Sequence, residues 1–389
     1  MYFQDEPEHI VLLRQQLQRF IEAEMPREKV RAWEKACTFP RDVVAKLADL
    51  GVFGLTVEEE YGGLGRDVVA AVVVIEELAR RGTAIAGPYI HGAFYGGLNI
   101  TESGSEEQKR RLLPKLASGQ ILFAYGLSEP DVGGDLAEVK TSARLINGGK
   151  SVLINGTKRW CTGARDADYL YCLVKSSADA PKYKNLSLVL IEPNTPGITI
   201  HDVGHMGLQY THTTDVIFED VEIPASNIVG GPDDWNCGWK KLVGPALDIE
   251  RLEVAALALG IARAAVEDAW SYAQERKQFG KLISGHQAIR HALVEVRTKL
   301  RACEHMLYHA AWLAQEGREC AVESSMAKLF VADTCMDIVI ACQQVMGAYG
   351  CSEEYDMARY VRDMTVMPII GGSSNMQRNN IAARMRLAI

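Results

Sequence analysis

Two segments of the chain carry residues that could bind a flat, polar ligand. The first, YGLSEPDVGGDLAEVKTSA, follows a predicted strand and places Ser128, Gly133 and Gly134 in one turn. Glycines leave backbone N–H groups accessible, so that they could donate to the carbonyl oxygens of a heterocycle. The second, NGTKRWCTGA, supplies an aromatic ring and a hydroxyl, Trp160 and Thr162, which could flank the same ring system. A plain turn and a core tryptophan remain the alternatives for these motifs taken singly.

Two further segments lie in the C-terminal half. ERKQFGK follows a long predicted helix, and Arg276 offers a fork for phosphate while Phe279 offers a flat face. A basic helix end is the simpler interpretation of that segment alone. MPIIGGSSNMQR contains adjacent glycines, Gly371 and Gly372, which allow close approach of the backbone but supply no acid or base.

Composition limits the possible functions. The 389 residues are 48% hydrophobic and 24% charged, with a net charge of −8. Without a basic block, nucleic acid is not an expected partner. The apolar runs are too short and interrupted to predict a membrane span, and no secretory signal is expected. Nine scattered cysteines without a C-x-x-C pair favour a reducing, cytoplasmic location. No metal site is predicted, because the histidine pairs lack a third ligand.

Periodicity divides the chain into three predicted domains, and the fold class is α+β. Residues 1–119 show helical spacing, residues 120–231 show the period of strands, and residues 232–389 again show long apolar helices. The predicted strands are ILFAYGLS, SVLING, YLYCLVKS, LSLVLIE and TDVIFEDVEI. The expectation is an N-terminal helical domain, a middle β-barrel or sandwich, and a C-terminal helical bundle.

These motifs, in this order, resemble the acyl-CoA dehydrogenase family of FAD enzymes over nearly the whole chain. SEPDVGGD is similar to the family's T-E-P-x-A-G-S-D, and INGTKRWCTGA is similar to N-G-x-K-x-W-I-T-N. ERKQFGKLISGHQAIRH and QQVMGAYGCSEEYDMARYVRDM resemble the two C-terminal signatures. The resemblance implies an acyl-CoA dehydrogenase-like fold with a middle β-barrel and a C-terminal four-helix bundle, assembled as a homotetramer.

The resemblance also implies how FAD is bound and which reaction follows. The residues meeting the isoalloxazine ring would be Tyr125, Leu127, Ser128, Trp160 and Thr162. Those reaching FAD from a neighbouring subunit would be Arg276, Gln278, Phe279, Gln287, Gln344 and Gly347, with Ser373 and Asn375 on the adenosine or pyrophosphate side. A base would remove the α-proton of an acyl-CoA thioester while hydride leaves the β-carbon for flavin N5. Electrons would then pass to an electron-transfer flavoprotein.

The catalytic base is the main departure from the family pattern. Many members carry it in a Y-E-G-T motif, but the matching position here is Gly371. Some branches, including the isovaleryl-CoA and long-chain types, instead place it on the long C-terminal helix, where Glu250 matches. Taken alone, Glu250 would be a solvated glutamate near a helix start. With Gly371 lacking a carboxylate, the resemblance implies that Glu250 is the base, and Glu253 ranks second.

Other positions are expected to touch the substrate. They are Gly134, which replaces the serine of the signature, together with Arg251, Gly371 and Gly372. Tyr95, Gly96 and Gly97 are candidates for shaping the acyl pocket. The leading hypothesis is a dehydrogenase of a long, branched or cyclic acyl chain. The alternatives are a relative with oxidase or desulfinase chemistry, and a non-catalytic flavin-binding subunit.

Overall fold

The computed structural model describes residues 6–387. The extreme ends of the first and third predicted domains, residues 1–5 and 388–389, lie outside the described residues. The described chain runs through helices, then a sheet, then helices, in the order that the periodicity predicts. This arrangement matches the predicted fold class.

Seven helices build the N-terminal part, and polar side chains cap two of them. The helices are α1 Glu8–Glu24, α2 Arg27–Ala36, α3 Arg41–Ala48, α4 Val68–Arg81, α5 Thr83–Ile90, α6 Asn99–Ser103 and α7 Glu106–Ala117. The Asp67 carboxylate accepts a hydrogen bond from Ala70 N at the start of α4. Ser105 and Gln108 form a capping box at the start of α7, which satisfies two backbone donors. Between α5 and α6, the segment His91–Leu98 is π-helical.

The middle part is a curled sheet of seven strands. They are β1 Phe123–Gly126, β2 Ser142–Ile146, β3 Ser151–Arg159, β4 Tyr169–Lys175, β5 Leu186–Ile191, β6 Ile198–Asp202 and β7 Thr214–Pro224. The order is β1-β4-β2-β3-β7-β6, with β5 paired to β4. Five strands lie in segments predicted as strands, and β2 and β6 were not among the predictions. The turn INGGK joins β2 to β3 through left-handed residues Asn147 and Gly148.

The C-terminal part is dominated by three long helices. Its helices are α8 Gly238–Leu242, α9 Pro245–Glu275, α10 Gln287–Gln315, α11 Ala321–Met346, α12 Met357–Val366 and α13 Ser374–Arg384. A short hairpin, β8 Lys277–Gln278 and β9 Lys281–Leu282, separates α9 from α10. The stretch Ala321–Cys351 has the length and mean hydropathy, 1.4, of a membrane-crossing helix. Here α11 packs against α9, α10 and α13, as a core helix of a bundle does.

Helix α9 connects the two helical parts of the molecule. It packs against α11 and α10 in the C-terminal part and against α4 in the N-terminal part. Gly260 allows the close contact with α4, because a Cβ there would lie 2.3 Å from the Glu76 carbonyl oxygen. Helix α9 therefore lies between the two helical parts of the molecule.

Candidate active site

Glu250 lies on α9 in a buried position and is held by two neutral donors. Its side chain belongs to a residue that is 8% exposed. Asn99 Nδ2 donates to Glu250 Oε1 at 2.8 Å, and the Tyr125 hydroxyl donates to the same oxygen. Asn99 lies at the start of α6 and Tyr125 in β1, so three distant segments of the chain meet at this carboxylate.

The surroundings of Glu250 change its acidity. Burial raises the pKa of the carboxyl to about 7, against the opposing hydrogen bonds from Tyr125 and Asn99 and the charge of Arg251. A carboxyl with such a pKa is a mixture of its acid and base forms near neutral pH. It is therefore suited to accept and release a proton under physiological conditions.

A second carboxyl, Glu253, lies one turn further along the helix. It is 5% exposed, and it shares a hydrogen bond with the Tyr95 hydroxyl. Burial, followed by the charge of Glu250, raises the pKa of Glu253 well above its ordinary value. Because two neighbouring buried carboxyls resist ionising together, burial and the charge of Glu250 favour the protonated form of Glu253.

Aromatic side chains pack beside this pair. The rings of Tyr95 and Tyr125 are stacked with centroids 3.8 Å apart, and His91 stacks on the other side of Tyr95 at 5.2 Å. Tyr95 and His91 belong to the π-helical segment, a distortion that is frequent at functional sites. The stack therefore connects the donor of Glu253 to the donor of Glu250.

The glycine loop of MPIIGGSSNMQR packs against the same helix. Gly371 has φ +60°, and a Cβ at this position would lie 2.7 Å from Val254 Cγ2. Gln377 Nε2 donates to the carbonyl oxygens of Gly371 at 3.1 Å and Gly372 at 2.9 Å, which fixes the loop. Ser373 caps α13, with its hydroxyl accepting from Met376 N. The loop thus borders the Glu250 helix and has no space for a side chain at Gly371 in this conformation.

Further contacts bring the first two sequence motifs to this region. A Cβ on Gly134 would lie 3.3 Å from Met376 Sδ, so the SEPDVGGD turn borders α13. The Ser128 hydroxyl donates to the carbonyl oxygen of Arg159 at 2.9 Å, and Arg159 N donates back to Ser128 O at 3.0 Å. Trp160 therefore lies directly beside the turn, as the two motifs together predict.

The strand end that carries Trp160 and Thr162 is also connected to the aromatic stack. The Thr162 and Thr213 hydroxyls are 3.0 Å apart. The next residue, Gly163, leaves room for His91, since a Cβ there would lie 2.5 Å from His91 Cε1. The motif residues and the two carboxyls hence form one continuous region.

Six predicted cofactor-binding residues lie elsewhere in the chain. They are Arg276, Gln278, Phe279, Gln287, Gln344 and Gly347, and all are exposed. Arg276 follows the last residue of α9, whereas Glu250 lies near its start, so about 39 Å of helix separates them. The Arg276 guanidinium lies 5.7 Å from the centroid of the Tyr349 ring, which places it near the end of α11. Within one chain this group does not join the Glu250 region.

Arg251, a predicted substrate contact, is buried and bonded to its own helix. Its Nη1 donates to Asp248 Oδ1, three residues earlier. The guanidinium therefore binds a side chain in the first turn of α9.

Comparison with known proteins identifies the family. Three family models match the chain in succession: the acyl-CoA dehydrogenase N-terminal domain over residues 7–120, the middle domain over 124–221 and the C-terminal domain over 236–386. The chain belongs to the acyl-CoA dehydrogenase family. This confirms the resemblance and the fold class predicted from the sequence. As a member of this family, the chain is an FAD-dependent acyl-CoA dehydrogenase.

Individual relatives agree along their full lengths. An acyl-CoA dehydrogenase of Bacillus subtilis (strain 168) is 35% identical over 370 residues, covering 95% of both chains. The caffeyl-CoA reductase-Etf complex subunit CarC of Acetobacterium woodii is 32% identical and covers 99% of both chains. The structure of butyryl-CoA dehydrogenase from Megasphaera elsdenii superposes with a TM-score of 0.92 at 29% identity, covering 98% of this chain and 99% of that one.

The residues around Trp160 fit a bound flavin. Trp160 is 54% exposed, and its backbone is left-handed with φ +66°, an uncommon conformation for a bulky residue. The N–H groups of Ser128 and Gly133 donate to no acceptor within residues 6–387. A Cβ on Gly133 would meet no atom within 4 Å. An open ring face beside free N–H donors is what a planar, carbonyl-bearing ring system requires.

Sequence reasoning missed Asn99 and His91 and assigned Tyr125 to a different partner. Asn99 is 151 residues from Glu250, and no motif points to it. Tyr125 was expected at the flavin ring, yet its hydroxyl is bonded to the Glu250 carboxylate. Tyr95 was named as a candidate for shaping the acyl pocket. Its contact with Glu253 depends on the π-helical segment, which the sequence does not predict.

Proposed function

We propose that Glu250 is the base that removes the α-proton of an acyl-CoA thioester, the first half of α,β-dehydrogenation to the 2-enoyl-CoA. The observation that carries this proposal is a buried carboxyl whose hydrogen-bond partners are two neutral donors and whose pKa is raised to about 7. A base near this pKa has substantial free carboxylate at neutral pH and still binds the proton firmly enough to remove it.

The two donors also orient the carboxylate. Asn99 Nδ2 and the Tyr125 hydroxyl both bind Oε1, which leaves Oε2 as the oxygen that takes the substrate proton. Fixing one oxygen removes rotational freedom that would otherwise be lost during the reaction. The Gly371 backbone, on the loop that borders α9, is a proposed contact for the substrate.

Bound FAD would supply the acceptor for the hydride that leaves the β-carbon. Ser128, Trp160 and Thr162 would hold its ring, with the free N–H groups of the SEPDVGGD turn available to its carbonyl oxygens. Ser373 and Asn375, at the start of α13, are proposed contacts for the adenosine or pyrophosphate side. Gly134, Arg251 and Gly372 remain proposed substrate contacts.

We further propose that a second copy of the chain completes the FAD site in a homotetramer. The group around Arg276 and Phe279 supports this, because Phe279 is 93% exposed and Arg276, at the end of α9, lies about 39 Å along the helix from Glu250. An exposed phenylalanine beside an arginine suits a contact with another chain or with its cofactor. Arg276→Ala should then reduce FAD retention while leaving far-UV circular dichroism unchanged.

An electron-transfer flavoprotein is the proposed electron acceptor, and the cytoplasm is the proposed location. The Acetobacterium woodii relative is a subunit of a caffeyl-CoA reductase-Etf complex, which supports this choice of partner. A cytoplasmic location agrees with nine cysteines that are all free thiols.

The decisive experiment is anaerobic reduction of the bound flavin by acyl-CoA thioesters. The panel should include butyryl-CoA and aryl-substituted acyl-CoAs, since the relatives' names include both kinds. Wild-type protein should lose its flavin absorbance, and Glu250→Gln should lower the rate by about 10²- to 10⁴-fold while retaining FAD.

Glu22→Gln, which changes an exposed glutamate on α1, is the matched control and should react as wild type. Wild-type rates of flavin reduction in Glu250→Gln would remove Glu250 from the role of base. Colourless protein that rejects added FAD would instead indicate a non-catalytic subunit.

A further inference from the structure

Glu253 is unusual among the buried carboxyls of this protein. Glu76 and Glu129 are also buried, but Glu76 lies between Arg14 and Arg263, and Glu129 is paired with Lys158 at 2.9 Å. The neighbours that act on Glu253 are another carboxyl and a phenol, Glu250 and Tyr95. A buried acid without a cation is costly to keep, so its presence calls for an explanation.

One oxygen of this carboxyl has no partner. Glu253 Oε2 is fully buried and forms no hydrogen bond within residues 6–387. Leaving a buried polar atom unpaired usually costs as much as a lost hydrogen bond. Such atoms in native proteins are often the ones that a ligand satisfies.

The position of Glu253 relative to Glu250 defines what could reach it. The two residues are three positions apart on α9, so they lie on adjacent parts of one face and about 4.5 Å apart along the axis. A substrate whose α-carbon contacts Glu250 would therefore have the atoms a few bonds away from that carbon within reach of Glu253.

We propose that Glu253 is a specificity-determining residue that selects acyl chains carrying a hydroxyl a few bonds beyond the reacting carbons. This inference rests on the proposed function of Glu250. A protonated carboxyl can donate one hydrogen bond and accept another, and a hydroxyl can do the same in return. An unsubstituted alkyl chain would leave Oε2 unpaired, so the site would discriminate against it.

The same geometry allows two sources of the hydroxyl, aliphatic and phenolic. The aromatic stack of His91, Tyr95 and Tyr125 offers ring faces beside Glu253, which a phenolic substrate could use. Two pairs of substrates distinguish the sources. One pair is 4-hydroxybutanoyl-CoA and pentanoyl-CoA, in which a methyl replaces the hydroxyl. The other is 3-(4-hydroxyphenyl)propanoyl-CoA and 3-phenylpropanoyl-CoA.

The test measures kcat/KM for both pairs with the FAD-loaded enzyme and an artificial electron acceptor. Wild type should prefer the hydroxylated member of at least one pair by about tenfold or more. Glu253→Leu should abolish or reverse this preference, mainly by improving the unsubstituted substrate. Glu253→Gln keeps a donor and an acceptor, so it should retain the preference.

The outcomes separate this inference from the function on which it rests. If no acyl-CoA reduces the flavin of wild type, the dehydrogenase function of Glu250 fails. If alkyl substrates react well and Glu253→Leu leaves both ratios unchanged, the role of Glu253 alone is overturned. Glu253→Met, an unbranched apolar replacement, gives the same comparison should the leucine variant not fold.

Discussion

Two buried acidic regions of the helical core contrast sharply, although α4 and α9, which carry them, pack against each other. Glu76 on α4 is 0% exposed and is enclosed by Arg263 Nη2 at 2.5 Å, Arg14 Nη2 at 3.1 Å and the Tyr308 hydroxyl. Glu250 and Glu253 on α9 are nearly as buried but have tyrosine and asparagine as hydrogen-bond partners.

Because their partners differ, Glu76 and Glu250 have pKa values that are shifted in opposite directions, although both are buried. Burial alone would raise the pKa of Glu76, but the charges of Arg263 and Arg14 lower it below the ordinary value. Burial of Glu250 prevails over its neutral donors and raises the pKa to about 7. Direct ion pairs with two arginines keep Glu76 an anion that holds helices together. Glu250 accepts its hydrogen bonds from neutral donors, so burial dominates and the group can exchange protons near neutral pH.

The largest expected effect follows from breaking the ion-paired region. Glu76→Gln should lower the free energy of unfolding by about 3 kcal/mol, because it removes the fully buried anion that Arg14 and Arg263 share. Arg14 then keeps Glu77, and Arg263 keeps Glu304, as its remaining counter-charge. Urea titration followed by circular dichroism measures the change. The matched control, Glu295→Gln, breaks the exposed Glu295–Lys299 pair and should have little effect. A similarly small change for Glu76→Gln would show that the region is not structurally important.

Substitution of Glu250 is expected to change the stability in the opposite direction and to stabilise the fold. The folded-state pKa of Glu250, about 7, lies above the ordinary 4.5, so wild type loses stability as pH rises between these values. Glu250→Gln removes this titration. It should therefore match wild type in stability near pH 4.5 and exceed it above pH 7 by on the order of 1–3 kcal/mol.

Urea titrations of both proteins at pH 5 and pH 8 test this difference. A variant that is less stable than wild type at pH 8 would contradict the assignment of Glu250 as an uncompensated buried acid.

A smaller effect is expected at the loop beside the catalytic helix. Gly371→Ala should destabilise the fold by about 1–2 kcal/mol, since φ +60° disfavours alanine and its Cβ would approach Val254 Cγ2 at 2.7 Å. Thermal unfolding measures the loss. The double variant Gly371→Ala/Val254→Ala should lose less stability than the sum of the two single variants, because the smaller side chain at 254 removes the clash with the new Cβ. Additive losses would show that the loop and α9 are not in close contact at these residues.

The sequence predicted the long helices well, because the apolar periods of α9, α10 and α11 are sustained over many turns. Glu250 was named from its match to a family position, and its role as the base stays a proposal. Strand β2 was missed because Ala143 is its one buried residue. The edge strand β6 was missed because its alternation covers only Ile198, Thr199 and Ile200 and none of its residues is buried.

The partners of the site could not be predicted in the same way. Asn99 and Tyr125 lie 151 and 125 residues from Glu250, and their contacts exist because the π-helical segment and β1 converge on α9. That Glu253 has a carboxyl and a phenol as its neighbours within residues 6–387 is likewise a property of the packed core. Which groups lie beside a buried residue depends on distant parts of the chain, so the local sequence does not predict them.

The most direct test of Glu250 as the base follows the α-proton itself. An acyl-CoA with sulfur in place of the β-carbon keeps its α-protons but has no β-hydride to lose, so exchange of the α-protons with deuterium oxide reports proton removal alone. Mass spectrometry should show rapid exchange with wild type and with Glu253→Leu, and exchange slowed by about 10²-fold or more with FAD-loaded Glu250→Gln. Exchange by Glu250→Gln at the wild-type rate would contradict the central claim.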